Sequence, residues 1–184
     1  AEQQQLRAEA FARQAAAIQA ANAAAAIAPP TTAPRRGPTT TSPPPKVIPP
    51  SLYTVADMDL IDGIYVNKLI SSRLAAMMAA SRAAGLTLGG GGFRDSASQI
   101  ATRRNNCGPT DYDIWVKPAS QCSPPTARPG TSMHEQGMAI DFTCSGSLIR
   151  DHGSVCFVWL AANAASYGFY NLPSEPWHWS VNGN

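Results

Sequence analysis

The chain has 184 residues, only 14% of them charged, and 14 Lys and Arg against 12 Asp and Glu leave a net charge of +2. That balance argues against a basic surface for nucleic acid, and the absence of any run of about 18 apolar residues excludes a membrane span within the chain. Four cysteines occur with no C-x-x-C spacing, which argues against a cysteine-only zinc site or a thioredoxin-type redox pair.

In chain order, residues 1–27 are rich in Ala, Gln, Arg and Glu, all good helix formers, and predict a helical or coiled-coil tail or a lone surface helix, with a surface for self-association. The chain starts without Met or a signal-peptide apolar core, and reads as the processed or excerpted end of something longer. Residues 28–50 hold more than half of the 16 prolines, mixed with Thr and Ser. They predict an extended linker or stalk. A globular domain is expected over 51–184. Apolar residues at 69, 70, 74, 77 and 78 predict a helix over 67–84, stopped by Gly85, with Met77 and Met78 in the core. Leu86–Leu88 reads as a short strand running into Gly89–Gly92, Ser96–Arg103 as a short helix, and 105–130 as loop. Ala139–Thr143 reads as a strand, Val155–Ser166 as a helix ended by Gly168, and Trp177–Val181 as a last strand. Helices and strands mixed in one small domain predict an α+β fold, with helices packed against a mainly antiparallel sheet.

The even cysteine count suggests disulfides. Among the possible pairings, the sequential one, Cys107–Cys122 with Cys144–Cys156, is favoured because each bridge closes a polar loop. Closing a loop of about 15 residues is worth roughly 3 kcal/mol.

The chemistry concentrates in two motifs, Ser132-Met-His134-Glu-Gln-Gly137-Met-Ala139-Ile-Asp141 and Glu175-Pro-Trp-His178-Trp179. A catalytic zinc takes three protein ligands from His and carboxylates and keeps a further position open. Of only three histidines, His134 and His178 stand in motifs with acids, whereas His152 lies between two cysteines and reads as an exposed loop residue. On one flat strand the odd spacing of His134 and Asp141 would put them on opposite faces. They converge if the chain bends, and Gly137 permits the bend. Asp141 then shares a strand face with Ala139, while Ile140 and Phe142 point into the core. Pro176 keeps Glu175 extended, and a bend at Glu175-Pro176 would let Glu175 face the metal's water while His178 ligates. The expected metal is therefore Zn2+ on His134, Asp141 and His178, with Glu175 as general base. Trp177 and Trp179 read as packing beneath the site.

The patterns S-x-H-x-x-G-x-A-x-D and E-x-W-H resemble those of the VanY-type D-alanyl-D-alanine carboxypeptidases, zinc peptidases grouped with lysostaphin-like and hedgehog-like domains. Gly92-Phe93-Arg94 with Gln99 resembles the family's G-Y-R…Q segment, so the likeness covers roughly residues 60–181. It implies that His134, Asp141 and His178 hold zinc and that Glu175 is the base. It also implies that Arg94 polarises the scissile carbonyl and that Gln99 and Ser132 bind substrate. Phe93 stands where Tyr is usual, and Gly89–Gly92 is richer in glycine than the family's Ser-Gly, which predicts a looser backbone before Arg94. The implied substrate is the peptide stem of bacterial peptidoglycan, and the implied reaction is first D-Ala-D-Ala carboxypeptidase cleavage. The alternatives are endopeptidase cleavage by the same machinery and a non-catalytic zinc-containing module that binds the wall. The stalk, the disulfides and the implied substrate together predict an extracellular or cell-envelope protein of bacteria.

Overall fold

The computed structural model describes residues 52–184. The tail expected over 1–27 and the linker over 28–50 lie outside the described residues. The first structure is an antiparallel hairpin of β1 (Met58–Ile61) and β2 (Ile64–Asn67), which the sequence reading leaves unassigned. Asp62 and Gly63 form its turn with φ of 49° and 85°, the pair of left-handed conformations that matches a two-residue turn to the strand twist.

The first long helix, α1, spans Ser71–Ala83 rather than starting at residue 67. Asn67 is still paired with Met58 on the hairpin, and its side-chain oxygen accepts the Leu69 amide, turning the chain before the helix begins. The predicted stop at Gly85 is a Schellman cap. The Leu86 amide reaches Ser81 O and the Gly85 amide reaches Arg82 O, with Gly85 at φ 77°. Leu74, Met77 and Met78 are buried, as their spacing predicts.

The main sheet is antiparallel, in the order β3-β4-β7-β6, where β3 is Leu88–Gly91, β4 Ala139–Cys144, β6 Tyr170–Leu172 and β7 Glu175–Ser180. A two-residue strand β5, Ser147–Leu148, folds back on the end of β4. Ile140 and Phe142 are fully buried, as expected of the core side of β4. The glycine run is not loose: it is itself strand β3, and a Cβ on Gly90 would collide with Asp141 O, one on Gly92 with Tyr65 O. Glycine here permits close backbone approach rather than freedom. The last strand starts at Glu175, two residues before the predicted start at Trp177, because Pro176 is accommodated within it.

Helix α2 (Ser96–Cys107) outruns its predicted end and is capped by Asp95, whose side chain accepts the Ser98 amide. The segment expected to be loop holds a five-residue helix, α3 (Asp111–Trp115), with a Thr110/Asp113 capping box, and a 3-10 turn at Ala119–Gln121. Helix α4 (Val155–Asn163) continues as a 3-10 turn to Tyr167 and ends at left-handed Gly168. Both predicted disulfides form. Cys107–Cys122 pins the 108–121 segment to α2, and Cys144–Cys156 ties β4 to α4.

Arg103 is the largest fully buried side chain. It donates to the backbone carbonyls of Asp113 and Ile114 at 3.0 Å each and to those of Lys117 and Thr126. One guanidinium thus organises the whole segment between the bridged cysteines and beyond it. Arg103→Met would strand these carbonyls without a donor. It is expected to cost on the order of 3 kcal/mol of unfolding free energy by denaturant titration; a loss within 0.5 kcal/mol of zero, the ordinary range of a surface substitution, would refute this role.

Candidate active site

The site is assembled by strand register. Asp141 on β4 lies directly opposite His178 on β7, and opposite Gly91 on β3. His134 comes from the turn before β4, and the left-handed Gly137 (φ 67°) makes the predicted bend. A Cβ at Gly137 would sit 2.5 Å from Met58 Sδ and 2.8 Å from the Asn67 amide nitrogen, so the turn is also packed against the first hairpin. The Asn67 amide donates to Gly137 O at 2.9 Å, and the Asn67 side chain to Gln136 O at 3.1 Å.

His134 Nε2, His178 Nδ1 and Asp141 Oδ1 consequently face one another. The two nitrogens are 3.2 Å apart, and they lie 3.2 Å and 3.0 Å from the carboxylate oxygen. A tetrahedral zinc with ligands at about 2.0–2.1 Å has ligand–ligand edges of roughly 3.3 Å, so the spacing of this donor set suits that ion. The outer nitrogens supply a second observation. His134 Nδ1 is 2.7 Å from Gly92 O, and His178 Nε2 is 3.0 Å from Asn184 O. Each ring can therefore donate this outer N–H to a backbone carbonyl and leave its inner nitrogen to ligate a metal once that nitrogen is deprotonated, as ligating histidines do. Burial alone would raise the Asp141 carboxyl, but the hydrogen bonds from His134 and His178 outweigh it and hold the group well below the usual range. Burial likewise opposes the charged form of His178, and its bond to Asp141 reverses the sign and raises it.

Glu175 is buried beside this cluster, and its Oε1 has no hydrogen-bond partner among the described residues. Burial raises its pKa; the His178 charge opposes the shift, Asp141 adds to it, and a hydrogen bond from the Trp177 side chain and the Arg94 charge oppose it. Arg94 Nη2 lies 3.6 Å from Asp141 Oδ2, and its Nη1 donates to Gln99 Oε1 at 2.9 Å. Gln99 is fully buried, and its amide in turn donates to Ala127 O at 2.8 Å. Ser132 accepts the His134 amide at 3.2 Å and also lines the pocket. The pocket encloses about 370 Å³ and runs from Ala119 in the stapled segment and the following Pro124–Ala127, past the three ligand candidates, to Leu172 and Trp177. Trp179 packs in the core as expected, with its indole donating to Pro176 O, but Trp177 lines the pocket. His152 is exposed, makes an edge-to-face contact with Phe157 and does not line the pocket.

The sequence reading passed over three contributors. Glu135 occupies a variable position of the first motif, yet it is buried, and its carboxylate accepts the Gly130 and Ser132 amides at 2.7 and 3.4 Å, fixing the turn that carries His134. A Glu three residues after Ser132 was the available signal. Asn184 contributes only a carbonyl, which no side-chain pattern reveals. Asn171 on β6 donates its side-chain amide to two backbone carbonyls of β7.

The model of the VanY family, D-alanyl-D-alanine carboxypeptidase, matches residues 63–184. No curated protein sequence matches. Among solved structures, VanYB in complex with D-alanine-D-alanine is similar at 24% identity and TM-score 0.52, over 72% of this chain and 82% of that one. A VanY D,D-pentapeptidase from a VanB-type vancomycin resistance cassette, in complex with Zn(II), is similar at 25% identity and TM-score 0.51, over 73% and 83%. The LD-carboxypeptidase LdcB is similar at 23% identity and TM-score 0.54, over 71% and 70%. The chain belongs to the VanY family of D-alanyl-D-alanine carboxypeptidases. It is a metallopeptidase of the zinc type.

Proposed function

We propose that this enzyme removes the terminal D-alanine from peptidoglycan stems ending in D-Ala-D-Ala, using one zinc ion held by His134 Nε2, His178 Nδ1 and Asp141 Oδ1. The observation that carries the reading is the convergence of these three atoms next to a buried carboxylate oxygen, Glu175 Oε1, that has no hydrogen-bond partner among the described residues. Zinc in such a site supplies the Lewis acidity that makes water a nucleophile near neutral pH. Glu175 takes the proton from the attacking water and later hands it to the leaving amine as the peptide C–N bond breaks. Arg94 is a cationic donor for the carbonyl oxygen as charge builds on it. Gln99 contributes by aiming Arg94, since its carbonyl is engaged with that guanidinium and its amide with Ala127. Ser132 contributes a hydroxyl at the pocket wall.

We also propose that the enzyme works outside the cytoplasm or in the cell envelope of a bacterium. The two disulfides support this, because such bridges persist in oxidising compartments. No helix among the described residues is long and apolar enough to cross a membrane. Residues 28–50 would then serve as a stalk and 1–27 as a helical element available for self-association.

The test is mass spectrometry of peptidoglycan fragments digested with and without a chelator. The expected result is chelator-sensitive loss of one alanine from pentapeptide stems. Split crosslinks or shortened internal stems would replace the carboxypeptidase by an endopeptidase. Zinc binding with no release from any wall preparation would leave a binding module.

A further inference from the structure

Strands β6 and β7 fall out of step where the site is built. Tyr170 pairs with Ser180 and Asn171 with Trp179, but the next residue on β6, Leu172, pairs with Glu175. Pro176, Trp177 and His178 therefore have no partner on β6. A wide irregularity of this kind bends a strand and re-aims its side chains. It lets Glu175 and His178, whose odd spacing would oppose them on a flat strand, line the same pocket. The expected kink at the Glu175-Pro176 bond is thus spread over the whole unpaired stretch.

Three backbone carbonyls of the bulge accept hydrogen bonds from side chains. Trp179 Nε1 donates to Pro176 O at 3.1 Å. Asn171 Nδ2 donates to Glu175 O at 3.0 Å and to His178 O at 3.0 Å. Both acceptors are carbonyls, so the atom facing them is the amide nitrogen. A single partly buried amide bridges the two ends of the bulge, one end carrying Glu175 and the other His178.

We propose that Asn171 is a positioning residue for peptide cleavage: by clamping the carbonyls of Glu175 and His178 it fixes the base relative to the metal site. The proposal rests on the roles given above to Glu175 and His178. It does not require Asn171 to touch substrate. Asn171→Asp is nearly isosteric but sets a carboxylate against two carbonyls, and Asn171→Ala leaves both unserved. Asn171→Ser keeps one hydroxyl donor and serves if neither variant folds.

The experiment measures kcat, KM and zinc affinity of the disulfide-bonded variants well below their melting temperatures, on a stem pentapeptide, with wild type and Glu175→Gln beside them. The clamp predicts that kcat falls about 10- to 100-fold in the Asp and Ala variants, with KM within about threefold and an intermediate loss in the Ser variant. A melting temperature that drops while kcat stays within about twofold of wild type would make Asn171 a fold residue only and overturn the proposal. An inactive Glu175→Gln beside a normal Asn171→Asp would remove this inference and leave the function standing. A fully active Glu175→Gln would instead assign the base to another residue and remove the role of Glu175 on which this proposal rests.

Discussion

Replacing Glu175 by Gln is expected to lower kcat by about 10²–10⁴-fold, the usual contribution of a positioned general base, while the protein keeps its zinc and KM hardly moves. Gln has the same shape and no charge. The backbone carbonyl of residue 175 remains bonded to Asn171, so the bulge and the pocket wall are retained. None of the three converging ligand atoms belongs to residue 175. The loss is therefore confined to proton transfer, which is what a fall in kcat at constant KM reports. The pH profile gives an independent reading. Burial pushes the Glu175 carboxyl above the usual glutamate range, with Asp141 adding to the effect and His178, Trp177 and Arg94 opposing it. A bound cation acts in the opposing direction. A base must be ionised to work, so the activity it confers is present above its pKa and is lost as pH falls through it. That acid limb of kcat/KM belongs to Glu175 and should vanish from whatever activity the Gln variant retains. Stopped assays at several pH values, alongside metal analysis, measure both effects. A Gln variant with wild-type kcat, or with the acid limb intact, would assign the base to another residue.

The features legible in the sequence are those that local chemistry dictates. Gly85 ends α1 because only a left-handed residue closes the Schellman pair. Gly137 turns between His134 and β4 for a similar backbone reason. The cysteines pair in sequence order because each bridge joins segments already close along the chain. The ligand set was legible because it is carried by two compact motifs. The missing pieces depend on what lies across from them. The short strand expected at Leu86–Leu88 lies instead at Leu88–Gly91, where glycine, a poor strand former, is needed because Asp141 O leaves no room for a side chain at Gly90. The β1–β2 hairpin did have a local sign, Asp62-Gly63, and it is the one element that closer reading of turn chemistry would have recovered. The bulge of β7 has no such sign. It is a mismatch of register between two strands, and Asn171 looks like any strand-end polar residue until both carbonyls are seen in front of it. Trp177 was assigned to packing because tryptophans on strands usually pack. The same bulge turns it to the pocket.

Asp141→Asn tests the metal centre with the least disturbance to the fold, and the expected outcome is loss of zinc together with loss of cleavage. Asp141 is the point on which the site converges: its Oδ1 meets both histidines, and its Oδ2 lies 3.6 Å from Arg94. Asn offers the same oxygen position without the negative charge that a dication selects. The backbone pairing of residue 141 with His178 on β7 and Gly91 on β3 does not depend on the side chain, so the sheet stays in register. Dialysed wild type is expected to carry about one zinc per chain, as a site of this ligand count holds, and Asp141→Asn little or none. Stability gives a readout that needs no substrate. A ligand that binds only the folded chain stabilises it by about 2.7 kcal/mol at one hundred times its Kd. Wild type should therefore melt higher with zinc than with chelator, and the variant should melt at one temperature in both. Arg94 loses its ion-pair partner in the variant and keeps only Gln99, so part of the fall in kcat comes from a guanidinium less firmly held. Adding excess zinc separates the two causes: activity that recovers as zinc saturates the variant reflects lost affinity, and activity that stays low at saturation reflects the displaced arginine. If the variant retains one zinc per chain at wild-type affinity, Asp141 is not a ligand, and the ion must be held by a different set around His134 and His178.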